Sequence, residues 1–132
     1  MKYWDPLRKK EVEATPEEKV RQWFIYELLQ TYKVPAHLMM SETGFMFGKK
    51  RYRADILVYD REGKPLLVVE CKAPEVGLSE ETALQAMRYN AVLDVRFIIL
   101  TNGNSTLAFG RDGEVFRPLS AIPSYEMMLC RP

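Results

Sequence analysis

The stretch LLVVECKAP, residues 66–74, decides the fold. Leu66 to Val69 form an apolar, strand-favouring run, yet Glu70 and Lys72 follow within the same segment. Alternate side chains of a strand share a face, so Glu70 and Lys72 project together while Val69 and Cys71 face the other way. A segment apolar on both faces reads as a strand central in its sheet. Charges placed there are costly unless they are paired or bound to a metal.

The preceding segment RADILVYD, residues 53–60, is a second strand, and DREGK turns the chain between the two. A four-residue loop, Arg61–Lys64, pairs Asp60 with Pro65 and sets Asp55 opposite Glu70. A three-residue loop closed at Gly63 shifts the register by one and needs a bulge to restore that pairing. Directly opposed residues have Cβ atoms ~5 Å apart, so two carboxylates and an ammonium converge on one patch. Two carboxylates at that spacing repel, and a divalent cation removes the conflict. Hard oxygen ligands suit magnesium or manganese, which need no histidine. Asp55 and Glu70, with the Cys71 backbone carbonyl, form the expected metal set. Such a site fits phosphodiester hydrolysis: the metal acidifies a bound water, and Lys72 serves as acid/base partner or stabilises the pentacovalent state. The competing reading is a strand-end acid at Asp55 and an exposed cross-strand ion pair at Glu70 and Lys72.

Working outward, TPEEKVRQWFIYELLQTYKV begins with Thr15 as N-cap, Pro16 in the first turn and Glu18 where a capping-box acid reaches back. Val20, Phe24 and Leu28 recur at helical spacing, with Trp23, Ile25 and Leu29 widening the stripe. At ~100° per residue, Glu17 points along the middle of that stripe and Glu18 lies at its margin. Residues 38–48 read as a strand or bent strand pair. Ser79 caps a second helix over roughly 80–93, with Leu84, Met87 and Ala91 inward. RFIILT (96–101) is a buried strand, and Asn102–Asn104 and Arg111–Glu114 turn the chain into two further strands. Residues 1–14 read as polar and irregular. The order predicts a single α/β domain over residues 1–132.

Bulk properties narrow the classes. The chain has 132 residues, 47% of them apolar and 28% charged, ordinary for a globular protein with a real core. No apolar run could span a bilayer, the opening MKYWDPLRKK is unlike a signal peptide, and the two cysteines show no framework spacing. Together these predict a cytoplasmic setting without membrane partners. A single histidine, His37, argues against zinc or serine–histidine chemistry. Net charge is +1, but Arg8, Lys9 and Lys10 cluster, as do Lys49, Lys50, Arg51 and Arg53. Local basic patches serve phosphate contacts even when acids elsewhere cancel the total, and solvated loop-end charge explains them equally well.

Five segments in order carry a family resemblance: TPEEKVRQ (15–22), RADILVYD (53–60), LLVVECKAP (66–74), the Gln85–Tyr89 pair and IILTNG (98–103). The chain resembles the PD-(D/E)XK nuclease superfamily, and more closely the N-terminal nuclease domain of type I restriction enzyme R subunits, including stand-alone forms. That resemblance implies a restriction-endonuclease-like α/β/α core around a central mixed β-sheet. It implies a Mg2+- or Mn2+-dependent DNA endonuclease with Asp55, Glu70 and Lys72 in the catalytic positions. Glu17 or Glu18 would be the helix-borne acid that assists the metal. Gln85 and Tyr89 match the Gln-x-x-x-Tyr motif, whose i, i+4 spacing puts both on one helix face, where they position DNA or the lysine. The implied partner is DNA; because GFMFGKKR (44–51) fails as a phosphate loop and these residues supply no translocase, the chain either works alone, joins separate motor and specificity subunits, or is one domain of a longer protein. The second reading is a module of the same fold that binds DNA or a partner without cutting; a third, a metal-dependent enzyme acting on RNA or a branched junction.

Overall fold

The computed structural model describes residues 1–88 and 92–130. The chain forms β1 (Lys2–Asp5), β2 (Lys10–Glu13), α1 (Pro16–Gln30), a 3-10 turn at Ala36–Leu38, β3 (Met39–Phe47), β4 (Lys50–Tyr59), β5 (Pro65–Cys71), α2 (Glu80–Ala86), β6 (Phe97–Thr101), β7 (Thr106–Asp112), β8 (Val115–Leu119) and α3 (Tyr125–Cys130). Strands β3 to β8 lie in sequence order in one six-stranded sheet. Every pairing is antiparallel except β5 with β6, so the sheet is mixed. A parallel pair needs a crossover, and the segment carrying α2 supplies it.

Both faces of the sheet are covered. On one, Val20, Phe24, Ile25 and Leu28 of α1, with Tyr125 and Met128 of α3, pack against Ile56, Val58, Leu67, Val69 and Ile99. On the other, Ala83 and Ala86 of α2 meet Ala54, Leu57, Val68, Ile98 and Leu100. The fold is therefore α/β, with helices on either side of a mixed central sheet. Two expected core positions are corrected: Leu84 is exposed at 59%, and Trp23 at 40%. Small alanines let α2 sit close to the sheet, which turns Leu84 outward. Ala91, expected inward, falls outside the described residues. Among the described residues no helix is long and apolar enough to cross a membrane.

The β4–β5 hairpin sets the geometry of the site. Its loop is the three-residue one: Asp60 N–H donates to the Lys64 carbonyl at 2.8 Å, and Gly63 takes φ +83°, where a Cβ is disfavoured. The four-residue alternative is thereby corrected. Tyr59 pairs with Pro65 but Val58 with Leu67, so Leu66 is an extra residue on β5. This bulge restores the register, with Ile56 opposite Val69, and the ladder ends there, so the expected direct pairing of Asp55 with Glu70 is corrected: Asp55 instead bonds the Cys71 N–H.

The first fourteen residues are not irregular. Lys2–Asp5 pairs antiparallel with Lys10–Glu13, and the fully buried Asp5 holds the connection. Its Oδ1 accepts from the backbone N–H groups of Leu7 (2.7 Å) and Arg8 (2.9 Å). Its Oδ2 accepts from Arg8 Nε (2.6 Å), Gln22 Nε2 (3.0 Å) and Ser41 Oγ (3.2 Å). The hairpin is thus pinned to α1 and β3 by one carboxylate.

Beyond Ile56, β4 pairs only with β3, so residues 43–54 extend as a two-stranded ribbon closed at Gly48–Lys49. Pairing skips Glu42 and Asp55, and Glu42 adopts a left-handed backbone, φ +53°. For a residue with a Cβ this conformation costs about 1–2 kcal/mol. The turn frees the Glu42 carboxylate to leave the plain of the strand and reach the helix.

Candidate active site

The candidate residues gather at the end of β5. Val68 packs toward α2, and Glu70 and Lys72, on the same face, line a cleft of about 130 Å³ with Thr82, Gln85 and Ala86. Oε1 of Glu70 is shielded from solvent. Lys72 is partly buried, and its backbone N–H donates to the Thr101 carbonyl of β6 at 2.9 Å. Cys71 points the other way, into the α1 core. The predicted facing of Glu70 and Lys72 against Val69 and Cys71 is thus what the two core layers display.

Asp55 reaches this point from β4. Its Oδ2 accepts from the Cys71 backbone N–H at 2.7 Å, clasping β5 where the two ladders separate. Its Oδ1 accepts from Arg21 Nη2 of α1 at 2.9 Å. Asp55 accordingly belongs to a cluster beside the cleft, with Arg21, Glu17 and Glu42, and meets Glu70 across the Cys71 main chain rather than as a third wall of the cleft. The charges nonetheless form one neighbourhood. Burial raises the carboxyl of Glu17, Asp55 raises it further, and Arg21 and Lys72 oppose the shift. Burial pushes the Cys71 thiol well up, with Asp55, Glu70 and Glu17 adding to the effect against Arg21.

The two helix acids divide in an unexpected way. Glu18, placed at the margin of the stripe by periodicity, is the buried one, at 6% exposure. Its backbone N–H is capped by Thr15 Oγ1 at 3.0 Å; its Oε1 accepts from Arg8 Nη2 (2.7 Å) and Arg21 Nη1 (2.6 Å), and its Oε2 from Gln22 (3.1 Å). The Glu17 side chain is half exposed and lies 3.3 Å from Arg21 Nη2. The N-terminal hairpin explains the reversal, since Arg8 roofs over Glu18 and leaves Glu17 on the open side. Glu18 is thus held on both oxygens by Arg8, Arg21 and Gln22, whereas Glu17 lies within electrostatic reach of Asp55 and Lys72.

Lys49, Lys50, Arg51 and Arg53 are all exposed around the ribbon's turn. Arg53 also bonds Glu42 Oε2 at 3.0 Å, and the Lys50 ammonium stands 5.2 Å from the centre of the Tyr52 ring. A second cleft, about 200 Å³, is lined by Lys50, Tyr52, Gln85 and Arg88. Gln85 is thus the shared wall between the acid–lysine cleft and the basic one. In the first basic cluster, Arg8 is spent on Asp5 and Glu18, so only Lys9 and Lys10 of that group are free to meet solvent ions. Tyr89 lies outside the described residues.

Sequence reasoning passed over Arg21, Glu42 and Arg88. Arg21 had a signal: a cation adjoining Val20 and one turn from Phe24 and Ile25 is as anomalous as an acid there. Glu42 had none, because only its left-handed backbone brings it to the helix.

The donor set suits a hard divalent ion. Among the described residues no three histidine, cysteine, aspartate or glutamate side chains are grouped so as to hold a metal by themselves. An ion here would rest on Asp55, Glu70, a backbone carbonyl and water. Magnesium is commonly bound in that way, by one or two carboxylates with retained waters.

The burial difference between the thiols gives a direct check on the β5 geometry. Cys71 is 1% exposed with its thiol held protonated, whereas Cys130 is exposed. One thiol should react with a disulfide reagent in the folded chain and two in denaturant. Rapid titration of both in native buffer would contradict this placement of Cys71.

Residues 16–123 match the sequence profile of the type I restriction enzyme R protein N terminus. Over 70 residues, 52% of this chain, the sequence is 39% identical to the type I restriction enzyme EcoAI endonuclease subunit of Escherichia coli. A structure described as a fragment of an HsdR subunit of a type I restriction enzyme from Vibrio vulnificus YJ016 superposes with a TM-score of 0.65 at 21% identity, covering 90% of this chain. The matched regions span 7% of the EcoAI subunit and 26% of the Vibrio chain.

Proposed function

Because the chain belongs to the family of type I restriction enzyme R protein N termini, we propose that it is a Mg2+-dependent DNA endonuclease of the PD-(D/E)XK type acting in a restriction system. The observation that carries the reading is the pairing of Glu70 and Lys72 in one cleft, with Asp55 clasped to the N–H of the intervening Cys71. Asp55, Glu70 and the Cys71 carbonyl would hold Mg2+ or Mn2+. When bound, the ion supplies Lewis-acid chemistry that acidifies water and offsets phosphate charge. Lys72 holds or moves the proton of the attacking water, or stabilises charge on the phosphorane. Glu17 is the assisting helix acid, and Gln85, with Tyr89, orients the substrate strand. Lys49, Lys50, Arg51 and Arg53 contact DNA backbone phosphates. We read residues 1–132 as one nuclease domain working in the cytoplasm, with DNA and other components of a restriction complex as its partners.

The discriminating experiment incubates the chain with plasmid, linear and single-stranded DNA, with Mg2+, Mn2+ or EDTA, beside Asp55→Asn. Nicking that requires the ion and is lost in the variant supports the reading. DNA binding by both proteins without cleavage in any metal leaves the binding module instead. DNA affinity should fall steeply with salt, each phosphate neutralised on duplex contributing roughly 0.9 to the log–log slope.

A further inference from the structure

The Asp55 carboxylate would be strongly repelled by its neighbours if nothing cationic stood beside it, and in this chain the cation is Arg21. Its side chain is 5% exposed, and four carboxylates reach it: Glu18 on Nη1 at 2.6 Å, and Glu42 (2.6 Å), Asp55 (2.9 Å) and Glu17 (3.3 Å) on Nη2. Three acids from α1, β3 and β4 therefore converge on a single nitrogen atom. Glu18 has Arg8 as a second partner and Glu42 has Arg53. Arg8 in turn serves Asp5. With all groups ionised, Asp5, Glu17, Glu18, Glu42 and Asp55 set five negative charges against three positive ones from Arg8, Arg21 and Arg53. Glu70 and Lys72 add one of each sign and leave the balance of these ten groups at two negative charges.

We infer that Arg21 is a positioning residue of this site: it holds Asp55 Oδ1 while Cys71 N–H holds Oδ2, and it acts as a resident cation that sets how tightly a divalent metal is bound. The inference rests on the nuclease reading and deepens it. Two fixed oxygens orient the carboxylate plane before any ion arrives, which lowers the reorganisation needed on binding. The same positive charge opposes an incoming cation at short range, so the pre-organisation is obtained at some loss of affinity. Glu42 tempers that opposition. By drawing on Nη2 it weakens the hold of Arg21 on Asp55, and the left-handed backbone at Glu42 is the device that brings it there.

The test uses the full chain and Mn2+ alone, without DNA, reading ion affinity by titration and the unfolding midpoint with Mn2+ or EDTA. Arg21→Gln should lower the midpoint in EDTA and tighten Mn2+ by about tenfold, so that Mn2+ restores more of the midpoint than it adds to the unaltered chain. Arg8→Gln removes a cation from the same network away from Asp55; it should lower the midpoint without tightening Mn2+. Should Arg21→Gln fold too poorly, Glu42→Gln is the milder variant and moves the other way, weakening Mn2+ several-fold because Nη2 then turns more fully to Asp55, with only the more distant Glu17 competing. Mn2+ affinities unchanged in both Arg21→Gln and Glu42→Gln would overturn the role, even with the unaltered chain binding Mn2+ and cutting DNA. If the unaltered chain binds no Mn2+, the nuclease reading falls and this inference with it.

Discussion

Lys72→Ala should slow metal-dependent DNA cleavage by about 10³-fold while leaving DNA affinity and the unfolding midpoint close to those of the unaltered chain. Lys72 lines the cleft beside Glu70 and has no ion-pair partner closer than 4 Å among the described residues, so its removal breaks no structural bridge. The effect then falls on the chemical step. Lys72→Arg separates the two roles open to the ammonium. Electrostatic stabilisation of the phosphorane survives in part with a guanidinium, which keeps its charge. Proton transfer does not, because arginine does not deprotonate in proteins. Equal loss in both variants assigns Lys72 to the proton; substantial rescue by arginine assigns it to charge. Single-turnover cleavage across pH, with binding followed separately in Ca2+, makes the measurement. A Lys72→Ala protein that cuts at an undiminished rate would remove the lysine from the mechanism.

Asp5→Ala should cost ~3–5 kcal/mol of stability, an effect large for a residue far from the cleft. Asp5 is fully buried, and five donors depend on it from the hairpin, α1 and β3. Truncation leaves the Arg8 guanidinium short of a partner and two backbone N–H groups unpaired, and it loosens the roof over Glu18. Burial by itself raises this carboxyl, but the hydrogen bonds from the Arg8 backbone and side chain, Leu7 and Gln22 outweigh burial and lower it below 3.8. A carboxyl lowered on folding adds stability that is complete above its unfolded value and is lost as pH falls through the folded one. The unaltered chain should therefore lose stability below about pH 4, and Asp5→Ala should show a shallower acid limb. Chemical denaturation at pH 7 and across pH 2.5–5 (roughly the interval in which carboxyls titrate) measures both. Equal stabilities at pH 7 would show that the hairpin is not anchored as described.

The same residue marks where the sequence stops being legible. A buried aspartate inside MKYWDPLRKK reads like any solvated loop acid, and four-residue strands are too short for alternation to register, so the hairpin stays hidden until its tertiary partners are known. That omission propagated. Without the hairpin above α1, helical periodicity placed Glu17 inward and Glu18 at the margin, and the structure has them reversed. The central strands were legible because Leu67–Val69 and Ile98–Leu100 are apolar on both faces, a pattern that only a doubly covered sheet satisfies. The charges breaking that pattern located the cleft. Register was legible only as two alternatives: the loop is the shorter one, the bulge at Leu66 brings Ile56 opposite Val69, and Asp55 ends on the Cys71 N–H rather than paired with Glu70. Glu42 could not have been found, since nothing in SETG announces a left-handed glutamate.

All of this turns on whether the carboxylates of Asp55 and Glu70 take one cation between them, next to Lys72. Crystals soaked in Mn2+ and measured at the manganese absorption edge would answer it. The account predicts an anomalous peak in contact with both carboxylates at the end of β5, absent from Glu70→Ala crystals. A peak bound elsewhere, or none at saturating Mn2+, would contradict it.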